Sequence, residues 1–125
     1  MNDTKLSNLN LSEKEIIDRA ISFHKKGNIL KAIEYYKYCV DMEFNNPEVF
    51  NNFGLIFKNN GKLLEAENLV RKAIELEPDN INANNNLSLI LKDLGKVDEA
   101  LRFAKKVIRL NPDLAEAHHN IGIIF

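Results

Sequence analysis

The stretch PEVFNNFGLIFKNNGKLLEAENLVRKAIELEPDN, residues 47–80, contains the pattern that decides the fold. Apolar and small residues follow one another in steps of three and four through its first half, and the same steps return in its second half. This spacing is typical of amphipathic helices with one apolar face each. Gly61 lies between the two runs, where a glycine can take the positive φ that ends a helix. The stretch therefore predicts two helices joined by a turn.

The same pattern recurs on both sides of this stretch with a period of 34 residues. Three sets of residues show the period: the glycines Gly27, Gly61 and Gly95, the alanines Ala32, Ala66 and Ala100, and the small residues Ala20, Gly54, Ser88 and Gly122. A period of about 20 to 50 residues indicates stacked copies of one supersecondary unit. We expect a disordered leader over 1–12, full repeats over 13–46, 47–80 and 81–114, and the first helix of an incomplete repeat 4 over 115–125.

Capping patterns mark where the helices begin. Ser12 followed by Glu15 forms a capping box, so the first helix is expected to begin after Ser12. Pro47 occupies a first helical position, where a proline is tolerated. Asp113 with Glu116 forms a second capping-box pattern before the last helix.

These residues resemble the tetratricopeptide repeat family, and the resemblance covers most of the chain. The middle repeat matches best, because it carries the family's large, small, aromatic, glycine, alanine and proline positions at Phe50, Phe53, Gly54, Phe57, Gly61, Ala66, Ala73 and Pro78. Phe44, Asn84 and His118 depart from the pattern. The resemblance implies an all-α, right-handed superhelix of antiparallel helix pairs, three full repeats plus one extra helix. Its first helices would line a concave groove that binds peptides or proteins.

The family's groove positions predict the binding residues of this chain. One row of amides and one row of apolar residues would meet an extended peptide, and a row of basic residues would lie beside them. An asparagine side chain can both donate and accept, so it can pair with a peptide backbone of any sequence. The predicted peptide-binding residues are Asn51, Asn52, Leu55, Lys58, Asn85, Asn86, Leu89, Lys92, His119 and Asn120.

The groove residues are also consistent with other interpretations, of which two are disfavoured. Asparagine is abundant, at 18 of 125 residues, so the amide row is also consistent with plain composition and a solvated face. The two-carboxylate clamp that grips chaperone tails in this family is disfavoured, because Ile17, Ile21, Asn82 and Asn86 occupy four of its five positions. RNA binding is disfavoured as well, because the net charge is −1 and the groove is not basic.

No residue pattern points to catalysis, a metal or a cofactor. His118 and His119 project about 100° apart on a helix and have no Cys or carboxylate at i+4 to complete a metal site. Cys39 falls at a repeat position that is small and apolar elsewhere, so it is expected in the core. A lone cysteine and the lack of a signal-like apolar run favour a cytoplasmic protein with no membrane contact.

The sequence thus predicts a non-enzymatic scaffold for protein interaction. The alternative is the substrate-recruiting arm of a larger enzyme, such as a protein O-GlcNAc transferase-like glycosyltransferase, a methyltransferase or a sulfotransferase. Repeat 4 lacks a second helix in this sequence, so self-association through its first helix is a further expectation.

Overall fold

The computed structural model describes residues 6–124 and the side chains of residues 6–123. Within these residues a helical turn at 6–7 precedes seven α-helices, and no strand occurs. The helices are α1 (Glu13–Lys25), α2 (Ile29–Asp41), α3 (Pro47–Asn59), α4 (Leu63–Leu76), α5 (Ile81–Asp93), α6 (Val97–Leu110) and α7 (Ala115–Ile124). None of the helices in this part of the chain is long and apolar enough to cross a membrane.

The helices pair in the order of the predicted repeats. Each first helix (α1, α3, α5) packs against the second helix that follows it (α2, α4, α6). The first helices of successive repeats also approach one another within 8 Å between Cα atoms, whereas no such approach joins second helices among the described residues. The row of first helices is therefore the crowded, inner side, and the second helices spread along the outer side.

Two of the three predicted helix starts are confirmed. Ser12 caps α1 through a complete capping box, with Ser12 Oγ accepting from the Glu15 amide at 3.1 Å, and Pro47 opens α3. The predicted box at Asp113 and Glu116 is wrong, because α7 begins only at Ala115. Glu116 instead accepts a hydrogen bond from Asn85 Nδ2 of α5 at 2.8 Å, so its carboxylate contacts another helix.

The turn glycines have the backbone that the sequence predicted. Gly61 has φ +78°, and its equivalents Gly27 and Gly95 have φ +81° and +82°. No atom lies within 4 Å of the place where a Cβ would stand on any of the three. Glycine is therefore required at these turns by the backbone conformation alone and not by crowding.

Small residues let the two helices of a repeat approach closely. A Cβ on Gly54 would lie 2.6 Å from Val70 Cγ2, so no side chain fits there without displacing Val70. Ser88, at the same position of repeat 3, is fully buried and donates from Oγ to the Ala100 carbonyl at 3.0 Å. A Cβ on Gly122 would meet nothing within 4 Å in the described chain, so the predicted close approach is absent there.

The N-terminal segment differs from the disordered leader that the sequence predicted. Leu6 is only 1% exposed and belongs to the first hydrophobic cluster, together with Ile16 and Ile17 of α1. Burial of an apolar side chain stabilises the folded state whether or not the residue lies in a repeat. The remaining part of the predicted leader, residues 1–5, lies outside the described residues.

Candidate functional site

The inner faces of the first helices bring the predicted groove residues together. Positions one repeat apart on α1, α3, α5 and α7 form rows across adjacent helices, because these helices contact each other in that order. Four rows matter for binding: two rows of mainly amide residues near the N-terminal halves, an apolar row in the middle, and a basic row near the C-terminal ends. This surface is called the inner groove below.

The amides of the inner groove are bonded to one another across the repeats. Asn86 Nδ2 donates to Asn51 Oδ1 at 3.0 Å, and Asn120 Nδ2 donates to Asn85 Oδ1 at 2.5 Å. Each bond joins residues 35 apart, so the same device is repeated at two successive junctions. We call this series of hydrogen bonds the asparagine relay. It ties neighbouring first helices together in a fixed register.

The relay changes what the predicted amide row can offer to a ligand. Asn51 and Asn85 are 6% exposed and Asn120 is 4% exposed, so these three lie within the wall and do not form an open row. Asn52 and Asn86 are half-buried, and the Nδ2 of each donates a hydrogen bond to a side chain of the preceding repeat. Their Oδ1 atoms make no hydrogen bond within the described residues and remain available as acceptors.

The relay takes a different form at the junction of repeats 1 and 2. There Asn52 Nδ2 donates to the Tyr36 hydroxyl at 3.2 Å, and His24 Nδ1 lies 3.0 Å from the same oxygen. Burial raises the pKa of Tyr36 to about 12, and burial also lowers the pKa of His24 below its usual range. Tyr36 therefore keeps its proton at pH 7, and its hydroxyl can donate to Nδ1 of a neutral His24.

The apolar row is the accessible apolar part of the inner groove. Leu55 and Leu89 are half-buried, and Ile21 continues the row on α1, where it is half-buried and packs against the first hydrophobic cluster. Ile123 on α7 is 45% exposed. A ligand that covers apolar side chains in a concave surface removes them from water, which stabilises the complex.

The basic row is less uniform than the sequence suggested. Lys58 is half-buried and has no ion pair within the described residues, whereas Lys92 pairs with Asp93 at 3.2 Å. His24 holds the equivalent position on α1, and its Nδ1 is within hydrogen-bond distance of the Tyr36 hydroxyl. His119 is exposed and makes no hydrogen bond in the described part of the chain, and its neighbour His118 lies 3.0 Å from the Pro112 carbonyl. The row therefore does not form a continuous basic stripe.

A polar cavity of about 460 Å³ opens at the edge of the inner groove, between the N-terminal turns of α3 and α5. We call it the edge cavity. Its lining consists of amides and carboxylates with one proline, namely Asn46, Pro47, Glu48, Asn51, Asn52, Glu77, Asn80 and Asn82. No cationic side chain lines it.

The one cysteine of the chain, Cys39, lies in the core and not in the inner groove. Cys39 is fully buried, as predicted, and burial raises the pKa of its thiol to about 12, which keeps it protonated. Across residues 6–124 no group of three or more His, Cys, Asp and Glu side chains could hold a metal ion.

Three residues that shape this site were not predicted from the sequence. Tyr36 stands at the repeat position of Val70 and Ala104, and its size relative to them was the available signal. Glu48 and Glu77 stand near opposite ends of repeat 2, 29 residues apart, so no local pattern could place them in one cavity.

Comparisons with known proteins agree with this architecture. Residues 59–120 match the model of the tetratricopeptide repeat. No curated protein matches the sequence. The predicted all-α superhelix of antiparallel helix pairs is confirmed by this match and by solved structures that share the fold.

Three solved structures illustrate the likeness. The first tetratricopeptide domain of Spaghetti (RPAP3), bound to the HSP90 peptide SRMEEVD, has a TM-score of 0.81 and 22% identity, over 90% of this chain and 89% of that one. The second such domain of human RPAP3, in complex with the HSP70 peptide SGPTIEEVD, has a TM-score of 0.77 and 27% identity, over 87% and 91%.

A crystal structure of MamA has a TM-score of 0.85 and 20% identity, over 98% of this chain and 72% of that one. The spacing of the repeats, the glycine turns, the paired helices and these comparisons lead to one conclusion. The chain belongs to the tetratricopeptide repeat family.

Proposed function

We propose that this protein is a non-catalytic scaffold whose inner groove binds an extended segment of a partner protein. The observation that carries the proposal is the accessible apolar row, Ile21, Leu55 and Leu89, which lies beside the free carbonyl oxygens of Asn52 and Asn86. Apolar side chains of the segment would cover the row. Backbone N–H groups of the segment would donate to the two amide oxygens.

The asparagine relay supports a groove of fixed shape. A binding surface that is rigid before the ligand arrives loses less conformational entropy on binding. In this proposal the buried amides hold the first helices in register, and the outward oxygens meet the ligand. Asn51, Asn85 and Asn120 hold the helices in position, and Asn52, Leu55, Asn86 and Leu89 make contact with the ligand.

The experiment is a random-peptide display selection on the full chain, followed by affinity measurements with a selected peptide. Leu55→Asp should weaken binding at least tenfold, because it places a charge in the apolar row. Leu64→Asp is the matched control, because Leu64 is 63% exposed on the outer helix α4. Asn52→Ala is a poorer probe, since it also removes a hydrogen bond to Tyr36.

Two results would contradict the proposal. One is the absence of any enriched peptide. The other is a selected peptide whose affinity is lowered by Leu64→Asp and left unchanged by Leu55→Asp, which would place binding on the outer side. Circular dichroism of both variants checks that the helices persist.

The finer expectations remain part of this proposal. The near-neutral net charge of −1 and the mixed groove favour protein partners over nucleic acid, and we place the protein in the cytoplasm. The recruiting-arm alternative is tested by reading the gene beyond codon 125, because an attached glycosyltransferase, methyltransferase or sulfotransferase domain would support it. Self-association through α7 is tested by light scattering across a concentration series.

A further inference from the structure

The edge cavity has an excess of negative charge. Glu48 and Glu77 both line it, and neither carboxylate has an ion pair with a cation within the described residues. Within the described residues Glu77 Oε1 accepts only from Asn80 Nδ2, at 2.7 Å. An exposed carboxylate next to an open cavity attracts a cationic group more strongly than an anionic one.

The helix N-termini at this cavity are already capped. Asn46 Oδ1 accepts from the Val49 amide at 3.1 Å, and Asn80 Oδ1 accepts from the Ala83 amide at 2.8 Å. Each bond satisfies one of the backbone N–H groups that would otherwise attract an anion to the start of α3 or α5. No cationic side chain lines the cavity, so the two carboxylates set the sign of its side-chain charge.

Asn51 adds a hydrogen-bond donor that lacks a partner. Asn51 is 6% exposed and lines the cavity; its Oδ1 accepts from Asn86, whereas its Nδ2 makes no hydrogen bond within the described residues. At the next junction the equivalent donor, Asn85 Nδ2, is satisfied by Glu116 at 2.8 Å. Asn82 occupies, one repeat earlier, the position that Glu116 holds in repeat 4. Asn82 does not accept a hydrogen bond from Asn51. The cavity thus presents a donor that elsewhere in this chain binds a carboxylate oxygen.

We propose that the edge cavity binds a lysine or arginine residue of the peptide in the inner groove. The cationic side chain lies between Glu48 and Glu77, and a carbonyl oxygen of the same segment accepts from Asn51 Nδ2. The inference rests on the proposed function and specifies its ligand. A peptide residue offers a cation and an acceptor together, which a bare metal ion does not.

The proposed preference is opposite in charge to the peptides in two structural neighbours. Those peptides, SRMEEVD and SGPTIEEVD, each carry two adjacent glutamates. In this chain Asn82 and Asn86 occupy positions at which the chaperone-tail clamp needs cations, and Glu48 and Glu77 lie beside them in the groove wall. A glutamate-rich tail would therefore meet carboxylates at the edge cavity.

The test uses the same display selection on the full chain. Lysine or arginine should be enriched at one fixed position of the selected peptides. A selected arginine peptide should bind about tenfold more tightly than its citrulline counterpart, which has the same shape without the charge. In the double variant Glu48→Gln with Glu77→Gln this ratio should fall towards one.

The control variant is Glu65→Gln, because Glu65 is an exposed carboxylate on the outer helix α4. It should leave both the enrichment and the tenfold ratio unchanged. Glu48 and Glu77 are exposed, so the double variant should keep its urea midpoint, and each single variant provides a second reading.

The outcomes separate this inference from the proposed function. Selection of no peptide would contradict the proposed function itself. Peptides that bind the groove without a basic preference, or a basic preference that survives in the double variant, would overturn this inference alone. Equal affinity of the arginine and citrulline peptides for the wild-type chain would do the same.

Discussion

Repeats 2 and 3 share the same spacing but fill three equivalent core positions with different side chains. Repeat 2 has Phe50, Gly54 and Val70, whereas repeat 3 has Asn84, Ser88 and Ala104. All six residues are buried. In repeat 2 the larger Val70 faces Gly54. In repeat 3 the smaller Ala104 occurs together with Ser88, so the total side-chain volume at these positions is balanced within each helix pair. Each pair is thus packed as a unit, and a repeat position does not have one ideal residue.

The largest expected effect comes from breaking this balance in repeat 2. Gly54→Ser puts a Cβ 2.6 Å from Val70 Cγ2, in a fully buried contact. Overpacking of this kind costs about 1–3 kcal/mol, so the urea midpoint should fall accordingly. Val70→Ala in the same chain recreates the Ser88 and Ala104 pair of repeat 3 and should recover part of the loss.

A double-mutant cycle on these two positions gives the decisive measurement. Val70→Ala alone also destabilises, because it leaves a cavity beside Gly54. The two losses should therefore sum to more than the loss in the double variant. Simple additivity would show that the two side chains are packed independently.

A smaller effect, in the opposite direction, is expected from Asn84 of repeat 3. Asn84 is fully buried and donates to the Pro78 and Asn80 carbonyls at 2.9 and 2.7 Å, but its Oδ1 has no partner. Asn84→Leu removes the unpaired oxygen at similar size and should raise stability by about 1 kcal/mol. The Pro78 carbonyl keeps the Lys106 ammonium as donor, at 2.6 Å.

Thermal unfolding compares Asn84→Leu with Asn84→Asp. The aspartate adds a buried charge without a donor and should lower the midpoint. A lower midpoint for Asn84→Leu would mean that the two donated hydrogen bonds outweigh the unpaired oxygen. In that case the polar core of repeat 3 would be a stabilising feature.

The smallest effect concerns the ion pairs that join repeats 2 and 3 on the outer side. Glu67 accepts from Arg71 at 2.9 Å and from Lys96 at 3.2 Å, and Arg71 also reaches Glu99 at 2.8 Å. Ile33 stands in place of Glu67 one repeat earlier, so this network belongs to one junction only. Burial alone would raise the pKa of Glu67, but the hydrogen bonds from Arg71 and Lys96 outweigh it and lower the pKa.

The pH dependence follows from that lowered pKa. Because the folded pKa lies below the unfolded value, the contribution is complete above about pH 4.5 and is lost as the pH falls through the folded pKa. Glu67→Gln should cost about 0.5 kcal/mol at pH 7 and less in high salt. Urea titrations at several pH values should show the two proteins converging in acid. A difference that stays constant with pH would rule out the ionised carboxylate as its source.

Most of the helix boundaries could be predicted because their signals are local. The Ser12 box, Pro47 and the turn glycines each act within a few residues, through a capping hydrogen bond or one backbone dihedral. The box at Asp113 was wrong because Glu116 has a competing partner, Asn85, 31 residues away. Leu6 escaped prediction because a single buried leucine before the first repeat has no periodic signal.

The candidate site was predicted less completely than the fold. The rows of the inner groove followed from the resemblance to the family, and Leu55, Leu89 and Lys58 remain accessible. The state of the amides did not follow, because a sequence cannot show which amide already has a partner. Asn52 and Asn86 remain proposed contacts through their oxygens only.

The sequence by itself determined the 34-residue unit, its two helices and the glycine turn between them, because periodicity and capping are properties of neighbouring residues. The tertiary structure decided which polar groups are left for a ligand. Asn51 and Asn86 form their hydrogen bond, and Glu48 and Glu77 come to line one cavity, only after the helices have packed. Hydrogen bonding and charge depend on atoms a few ångströms apart, whatever their separation along the chain.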